Sequence, residues 1–418
     1  MQIQKLYKLF LSHPFICTDT REIKENGIFF ALKGDNFNGN KFAEQAISKG
    51  CAYAIIDEKK YCKNDKIILV ENVLDTLQLV AQYHREQVNI PVIGITGTNG
   101  KTTSKELTHA VLSSRKNCYA TKGNLNNHIG VPLSILEINK NHEIAIIEMG
   151  ANHIGEITAL CKIAQPNFGV ITNIGKAHLE GFGSFEGVIK AKSELYNYIK
   201  ENEGTIFVNN EDGLLINLAN GLETISYGKK GDCYGEISDS TPFVNLLFSN
   251  KRIKSNLIGD YQFYNMMLAS CIGKHFGVSN QNIKLAIENY TPTNNRSQII
   301  ETKNNTLILD AYNANPSSMA NMLHSFAKQN YKNKLCVLGD MLEMGNTSLQ
   351  EHRIIIDLVN ELKLECIFIG KEFAKVHKQT YNSTDKFSEF LKEKPIKKKT
   401  ILLKGSRGIT LEKLVKLL

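Results

Sequence analysis

Residues 94–103 read GITGTNGKTT and follow an apolar approach through Ile90, Val92 and Ile93. An apolar run entering a glycine-rich turn that ends in Lys-Thr predicts a strand, a tight loop and a helix opening at Lys101. Such a loop aims successive backbone N–H groups at a phosphate, and the helix dipole adds to the attraction. In this reading Gly97, Thr98, Asn99 and Gly100 cradle the phosphates, Lys101 supplies a point charge, and Thr102, followed by Thr103, offers a hydroxyl to a Mg²⁺ ion. The common spacing G-x-x-x-x-G-K-[ST] would place glycine at position 95, which is Ile95; the glycines are Gly94, Gly97 and Gly100. The departure narrows the kind of nucleotide loop without opposing one.

A chain of 418 residues is too long for one ordinary core and predicts two or three domains. Its 42% hydrophobic and 22% charged residues are those of a globular protein. No segment approaches the ~20 uninterrupted apolar residues of a membrane span. The opening run MQIQKLYKLFLSHPFICTDTRE is too polar for a secretory leader and reads as a short helix or strand. Nine scattered cysteines without a C-x-x-C pair predict reduced thiols in a cytoplasm rather than disulfides or zinc. The net charge of +8 suits nucleic acid or any polyanionic small substrate. No interleaving of aromatic and basic residues supports the former, so no nucleic-acid partner and no membrane insertion are expected.

The pattern divides into three α/β segments: 1–88, 89–295 and 296–418. In the first, strand-like runs at 27–32, 52–56 and 67–70 flank a helical 41–49, and a helix over 75–88 carries Leu77, Val80, Ala81 and Tyr83 on one stripe. In the second, strands end one after another in polar residues, with helices near 103–114, 184–200 and 259–277 and a small sheet excursion or loop at 228–241. The third alternates strands at 307–309, 335–338, 367–369 and 401–403 with helices at 316–328 and 349–362, a small doubly wound pattern. Alternation of this kind implies mostly parallel sheets whose ligands bind beyond the strand carboxyl ends.

The polar strand ends are therefore the candidates. Glu148, after four apolar residues, can complete a Mg²⁺ shell, although a surface turn would also use a glutamate. His178 lies past the strand ending at Asn173 and is open to a metal or phosphate role or a structural one. Lys192, on a helix, reads by pattern as solvated. The asparagine-rich 121–132 holds Asn124, Asn126 and Asn127, amides suited to a peptide or carboxylate or to a capped turn. Asp310, Asn313, Asn315, Lys404 and Arg407 share one cationic, amide-rich rim, with Asn315-Pro316 also a sensible helix start.

Taken together, TDTREIKENGIFFALKGDNFNGNKF, GITGTNGKTTSKE, GNLNNHIGVPLSIL, EMGANHIGEI, TNIGKAHLEGFGS, AKSEL, DAYNANPSSM, LGDMLEMG and KGSRG resemble the Mur ligase family over essentially the full chain, in its branch that adds D-alanyl-D-alanine. The phosphate loop alone would fit any Mur ligase or a folylpolyglutamate synthase; a nucleic-acid-dependent ATPase is a more distant alternative.

The resemblance implies a small N-terminal UDP-binding domain, a central P-loop-type ATPase domain and a Rossmann-like C-terminal domain. It implies a monomer that uses ATP and Mg²⁺ at two sites to join UDP-N-acetylmuramoyl-tripeptide to D-alanyl-D-alanine through an acyl phosphate. Thr102 and Glu148 would bind the first Mg²⁺ and His178 the second, while Lys192 matches a carbamylated lysine. Thr18, Asp19 and Arg21 would meet the uridine, and Asn124, Asn126 and Asn127 the acceptor channel. Gln262, Asn265, Arg296 and Asp310 would serve ATP, with Tyr312, Asn313, Asn315, Lys404 and Arg407 toward the substrates. Two departures stand out: Gly259-Asp-Tyr261-Gln262 replaces the usual G-x-H-N, and His128 replaces an acidic residue.

Overall fold

The computed structural model describes residues 3–293 and 295–418; Met1 and Gln2 of the opening run and Asn294 lie outside the described residues. Among the described residues three larger sheets follow one another along the chain, beside a two-stranded antiparallel pair, Lys33–Gly34 with Phe37–Asn38. The first is wholly parallel, ordered Ile16–Cys17, Ile28–Phe30, Tyr53–Ile56, Ile67–Leu69. The opening run is a helix, Ile3–Ser12. The helix Val73–Gln87 begins two residues earlier than its apolar stripe suggests, because Asn72 caps it by accepting from the Asp75 N–H.

The central sheet has nine strands, ordered Lys251–Lys254, Asn245–Phe248, Cys233–Asp239, Glu223–Gly228, Thr205–Asn209, Phe168–Ile171, Val92–Thr96, Ile144–Glu148, Cys118–Ala120. It is parallel from Cys233–Asp239 onward; Asn245–Phe248 adds antiparallel to that strand and Lys251–Lys254 antiparallel to Asn245–Phe248, which makes the 228–241 stretch a sheet excursion. Successive strand residues enter opposite cores. Val92, Ala145 and Ile147 join one cluster, while Ile93, Ile144 and Ile146 join the other. Both faces are thus covered, as a parallel sheet requires.

The C-terminal sheet is ordered Gln298–Glu301, Thr306–Asp310, Thr400–Lys404, Lys334–Gly339, Cys366–Ile369, Thr380–Tyr381, parallel except for its first strand. Ile308, Leu338 and Leu402 pack under Pro316–Lys328 and Ser348–Glu361, while Leu307, Val337 and Leu403 pack under Thr384–Glu393 on the opposite face. This is the doubly wound arrangement expected. The carboxyl ends of Val92–Thr96, Ile144–Glu148 and Phe168–Ile171 face those of Thr306–Asp310 and Thr400–Lys404 across one cavity. Among the described residues, no helix is long and apolar enough to cross a membrane.

Candidate active site

The phosphate loop leaves Val92–Thr96 and enters the helix Lys101–Ser113, with Gly97 at φ +140° and Gly100, the cap residue, at φ +81°. Space as well as torsion selects glycine here. A Cβ on Gly97 would lie 2.1 Å from Thr172 Oγ1, and one on Gly100 2.8 Å from Asn265 Oδ1. The exit of the neighbouring strand braces the loop. The Thr98 N–H donates to Asn173 O (2.9 Å), the Asn99 N–H donates to Asn173 Oδ1 (3.0 Å), and Thr172 Oγ1 donates to Asn99 O (2.6 Å). Replacing Gly97 with alanine is expected to cost about 1–3 kcal/mol of stability and to weaken ADP binding. Urea unfolding and calorimetric titration measure the two effects separately.

Lys101 is half-buried and donates from Nζ to Gly97 O (2.7 Å) and Thr98 O (3.1 Å), so its charge sits inside the loop. Burial lowers its pKa, Glu148 opposes that shift, and Arg296 adds to it. Glu148 is buried at the end of its strand. Its Oε1 accepts from Thr102 Oγ1 (3.2 Å) and Asn126 Nδ2 (2.8 Å), and Lys105 Nζ stands 3.8 Å from Oε2. Glu148 Oε2 is fully buried without a hydrogen-bond partner. Among the described residues no three His, Cys, Asp or Glu side chains cluster for a metal. Mg²⁺, however, takes one or two carboxylates and completes its shell with phosphate oxygens and water. An unsatisfied carboxylate oxygen on a residue whose other oxygen meets the Thr102 hydroxyl fits that ion.

His178, at φ +49°, lines the cavity, and its Nδ1 abuts Glu343 Oε2 of the C-terminal domain at ion-pair distance without hydrogen-bond angles. Burial lowers its pKa, with Glu343 opposing and Lys101 and Lys192 adding. Lys192 is buried on Phe185–Glu201 rather than solvated. Its Nζ lies 3.5 Å from Ala151 O and 5.4 Å from the Phe182 ring centre. Burial, helped by Lys101 and opposed by Glu156 and Glu194, brings its pKa down to about 7. Lys192 itself stands just behind the wall, which Ala151 forms.

Across the cavity, Lys404 Nζ donates to Asp310 Oδ2 (2.5 Å), and the Ser297 N–H donates to Asp310 Oδ1 (3.0 Å). The Arg296 guanidinium lies 3.8 Å from the Tyr312 ring centre and that of Arg407 5.6 Å, a shared cation–π platform. Arg296 Nε is buried and unpaired. Asn315 caps Pro316–Lys328 through Oδ1 and donates from Nδ2 to Asn99 Oδ1 (2.8 Å), joining the domains at the phosphate loop. Asn313 accepts from the Ala314 N–H (2.9 Å). Asn265 is committed to the loop's underside, accepting from Ser104 Oγ (3.0 Å) and donating to Gln262 Oε1 (2.7 Å).

One cavity of about 1130 Å³ gathers Thr98 through Thr103, Asn126, Asn127, Glu148, His178, Gln262, Asn265, Arg296, Asp310, Tyr312, Asn313, Asn315 and Lys404. Gly97, Asn124 and Arg407 are not on its wall. Thr18, Asp19 and Arg21 sit apart, after the strand Ile16–Cys17. There the Arg21 N–H donates to Asp19 Oδ1 (2.8 Å), and hydrogen bonds from Arg21 hold the Asp19 carboxyl at a pKa of about 2. The sequence reading assigns no role to Asn173, Tyr261, Tyr264 or Glu343. Asn173 carries the same polar-after-apolar signal as Glu148.

Three family descriptions match: the Mur ligase catalytic domain over residues 13–102, the Mur ligase middle domain over 95–273, and the Mur ligase glutamate ligase domain over 295–407. The UDP-N-acetylmuramoyl-tripeptide–D-alanyl-D-alanine ligase of Bacillus subtilis is 34% identical over 422 residues, covering 96% of this chain and 92% of that protein. The crystal structure of MurF from Acinetobacter baumannii superposes with a TM-score of 0.85 at 31% identity, over 96% of this chain and 92% of the other. The MurF ligase of Thermotoga maritima in complex with ADP gives 0.85 at 27% identity, over 97% of each chain.

Proposed function

The chain belongs to the Mur ligase family, and on that premise we propose that it joins D-alanyl-D-alanine to UDP-N-acetylmuramoyl-tripeptide with ATP. The observation that carries this reading is the single cavity in which the phosphate loop and Glu148 face the strand ends of a second domain. The terminal carboxylate of the tripeptide takes the γ-phosphoryl group and ADP leaves. The amine of the dipeptide then attacks the acyl carbon, an amide forms, phosphate departs and the amine gives up a proton.

The difficulty is charge, since a carboxylate must approach a triphosphate. Lys101, half-buried and held by Gly97 O and Thr98 O, places a fixed positive charge at that encounter. The first-turn N–H groups of Lys101–Ser113 add theirs. Thr102 and Glu148 would hold one Mg²⁺ and His178 a second; when bound, the ions neutralise phosphate charge. Lys192, with a pKa near neutrality, has the free amine that carbon dioxide needs to form a carbamate, and the resulting anion beside His178 would favour the second cation. Arg296 and Tyr312 offer a stacking and charge platform for nucleotide or dipeptide, Asn126 and Asn127 border the acceptor path, and Asp19 with Arg21 would meet the uridine end. By resemblance to its family the protein would act as a monomer, and its scattered free cysteines suit the cytoplasm.

The test is ADP release with UDP-N-acetylmuramoyl-tripeptide, ATP and Mg²⁺. Turnover is expected only when D-alanyl-D-alanine is added. Turnover with a free amino acid but not with the dipeptide would overturn the substrate assignment.

A further inference from the structure

The LGDMLEMG segment, residues 338–345, contributes no side chain to the cavity wall, yet it is built in detail. Asp340 is buried and accepts the backbone N–H groups of Glu372 and Phe373, both at 2.9 Å. His352, fully buried, fixes the next residue. Its Nδ1 donates to Ser348 O (2.7 Å), which leaves Nε2 to accept the Met341 N–H (3.1 Å). Ser406 closes the loop by accepting the Leu342 N–H on Oγ (2.9 Å) and donating its own N–H to Asp340 O (3.0 Å). The loop then turns through Glu343 at φ +63° and Gly345 at φ +52°. The product of this clamp is the placement of one exposed carboxylate, Glu343, against His178 of the central domain.

The surrounding contacts favour the same docking. The Glu180 N–H donates to Glu343 O at 3.4 Å, and Lys176 Nζ donates to Glu351 Oε1 at 2.8 Å, so residues on both sides of His178 meet the C-terminal domain. Within the ring, Nδ1 is buried while His178 as a whole borders the cavity. With Nδ1 buried at Glu343, Nε2 is the ring nitrogen left for the cavity. A carboxylate held at ion-pair distance from one imidazole nitrogen orients the ring by charge, and where it accepts that nitrogen's proton it makes the other nitrogen a better ligand.

We propose that Glu343 is a cross-domain positioning residue that orients His178 Nε2 into the cavity, so that the His178 cation site is complete only when the C-terminal domain is docked. This rests on the reading of His178 as a cation ligand given above. It adds that a residue of a different domain decides when that ligand is competent.

The test uses the full chain loaded with ADP and titrated with Mn²⁺, free ion being counted by EPR, in parallel with ligase turnover. Glu343→Gln is expected to weaken binding of the weaker Mn²⁺ about 10- to 100-fold and to lower kcat by a similar factor, with the KM for D-alanyl-D-alanine unchanged. Glu343→Asp is expected to recover part of both. In a His178→Asn background Glu343→Gln should cost nothing further, because its route of action is already gone. Glu351→Gln, which neutralises the buried partner of the flanking Lys176 pair with a side chain of the same shape and does not touch His178, should leave Mn²⁺ binding within about 2-fold. Unchanged Mn²⁺ affinity in Glu343→Gln, an equal loss in the His178→Asn background, or an equal loss from Glu351→Gln would each overturn the proposal. The Mn²⁺ measurement needs no acceptor substrate, so it separates failure here from failure of the substrate assignment.

Discussion

Replacing Lys101 with methionine is expected to lower kcat about 10³-fold while the protein stays folded. The ammonium is the one side-chain cation held within the loop itself, by Gly97 O and Thr98 O. Loss of a preorganised charge at a transferring group typically costs about 10²- to 10³-fold. Arginine should not rescue it, because a planar fork cannot occupy the place of a compact ammonium between two carbonyls. Single-turnover ADP formation, with a thermal melt as the control for folding, separates chemistry from stability. The pH profile carries a further mark. Burial lowers the Lys101 pKa and Glu148 holds it up, so the ammonium is lost at a lower pH than on a surface lysine. Glu148→Gln should move that alkaline limb lower still.

Lys192→Met is expected to show the opposite signs in stability and activity. A folded-state pKa of about 7 against an ordinary 10.5 means that below about pH 7 the fold must carry a poorly solvated ammonium. That cost is fully present below pH 7 and is relieved as pH rises toward 10.5, since over that interval the unfolded chain binds the extra proton. In bicarbonate-free buffer at pH 6 the methionine variant should therefore melt several degrees higher than the parent. Ligase activity should fall at least about 10²-fold if Lys192 works as a carbamate. The parent, but not the variant, should gain activity and 44 Da of labile mass with bicarbonate. Undiminished activity in Lys192→Met would remove the carbamate role.

Contiguous chemistry is what the sequence makes visible. The phosphate loop, Glu148 and the Asp310–Asn315 rim can be read because each closes an apolar strand with polar residues, and parallel sheets put such ends on one side. Three things resist that reading. Short strands such as Cys118–Ala120 and Ile16–Cys17 are too brief to show a period. Lys192 reads as a solvated helical lysine because burial on Phe185–Glu201 depends on helices far away in sequence. Partnerships across long separations, Asn99 with Asn315 or His178 with Glu343, are properties of domain docking. The LGDMLEMG motif is recognisable as a string, but its purpose emerges only when Asp340, His352 and Ser406 are seen holding one turn. Asn265 illustrates the converse: its amide is bound to Ser104 and Gln262, so it shapes the loop from beneath.

The helix Val73–Gln87 has a consequence for how the molecule comes apart. Its Val73, Leu77, Val80 and Ala81 belong to one continuous apolar cluster that also holds Phe10 of the opening helix and Ile28, Phe30 and Ile55 of the first sheet with Val92, Ile147 and Ile171 of the central one. The C-terminal sheet keeps two clusters of its own, to which, among the described residues, the earlier chain contributes the fully buried Ile258 and the partly buried Leu179, Phe243 and Tyr261. Three sheets therefore amount to two cooperative units. The first and second share a core and must lose it together, whereas the third can loosen by parting polar contacts and the small apolar seam around Ile258 while most of its own interior stays dry.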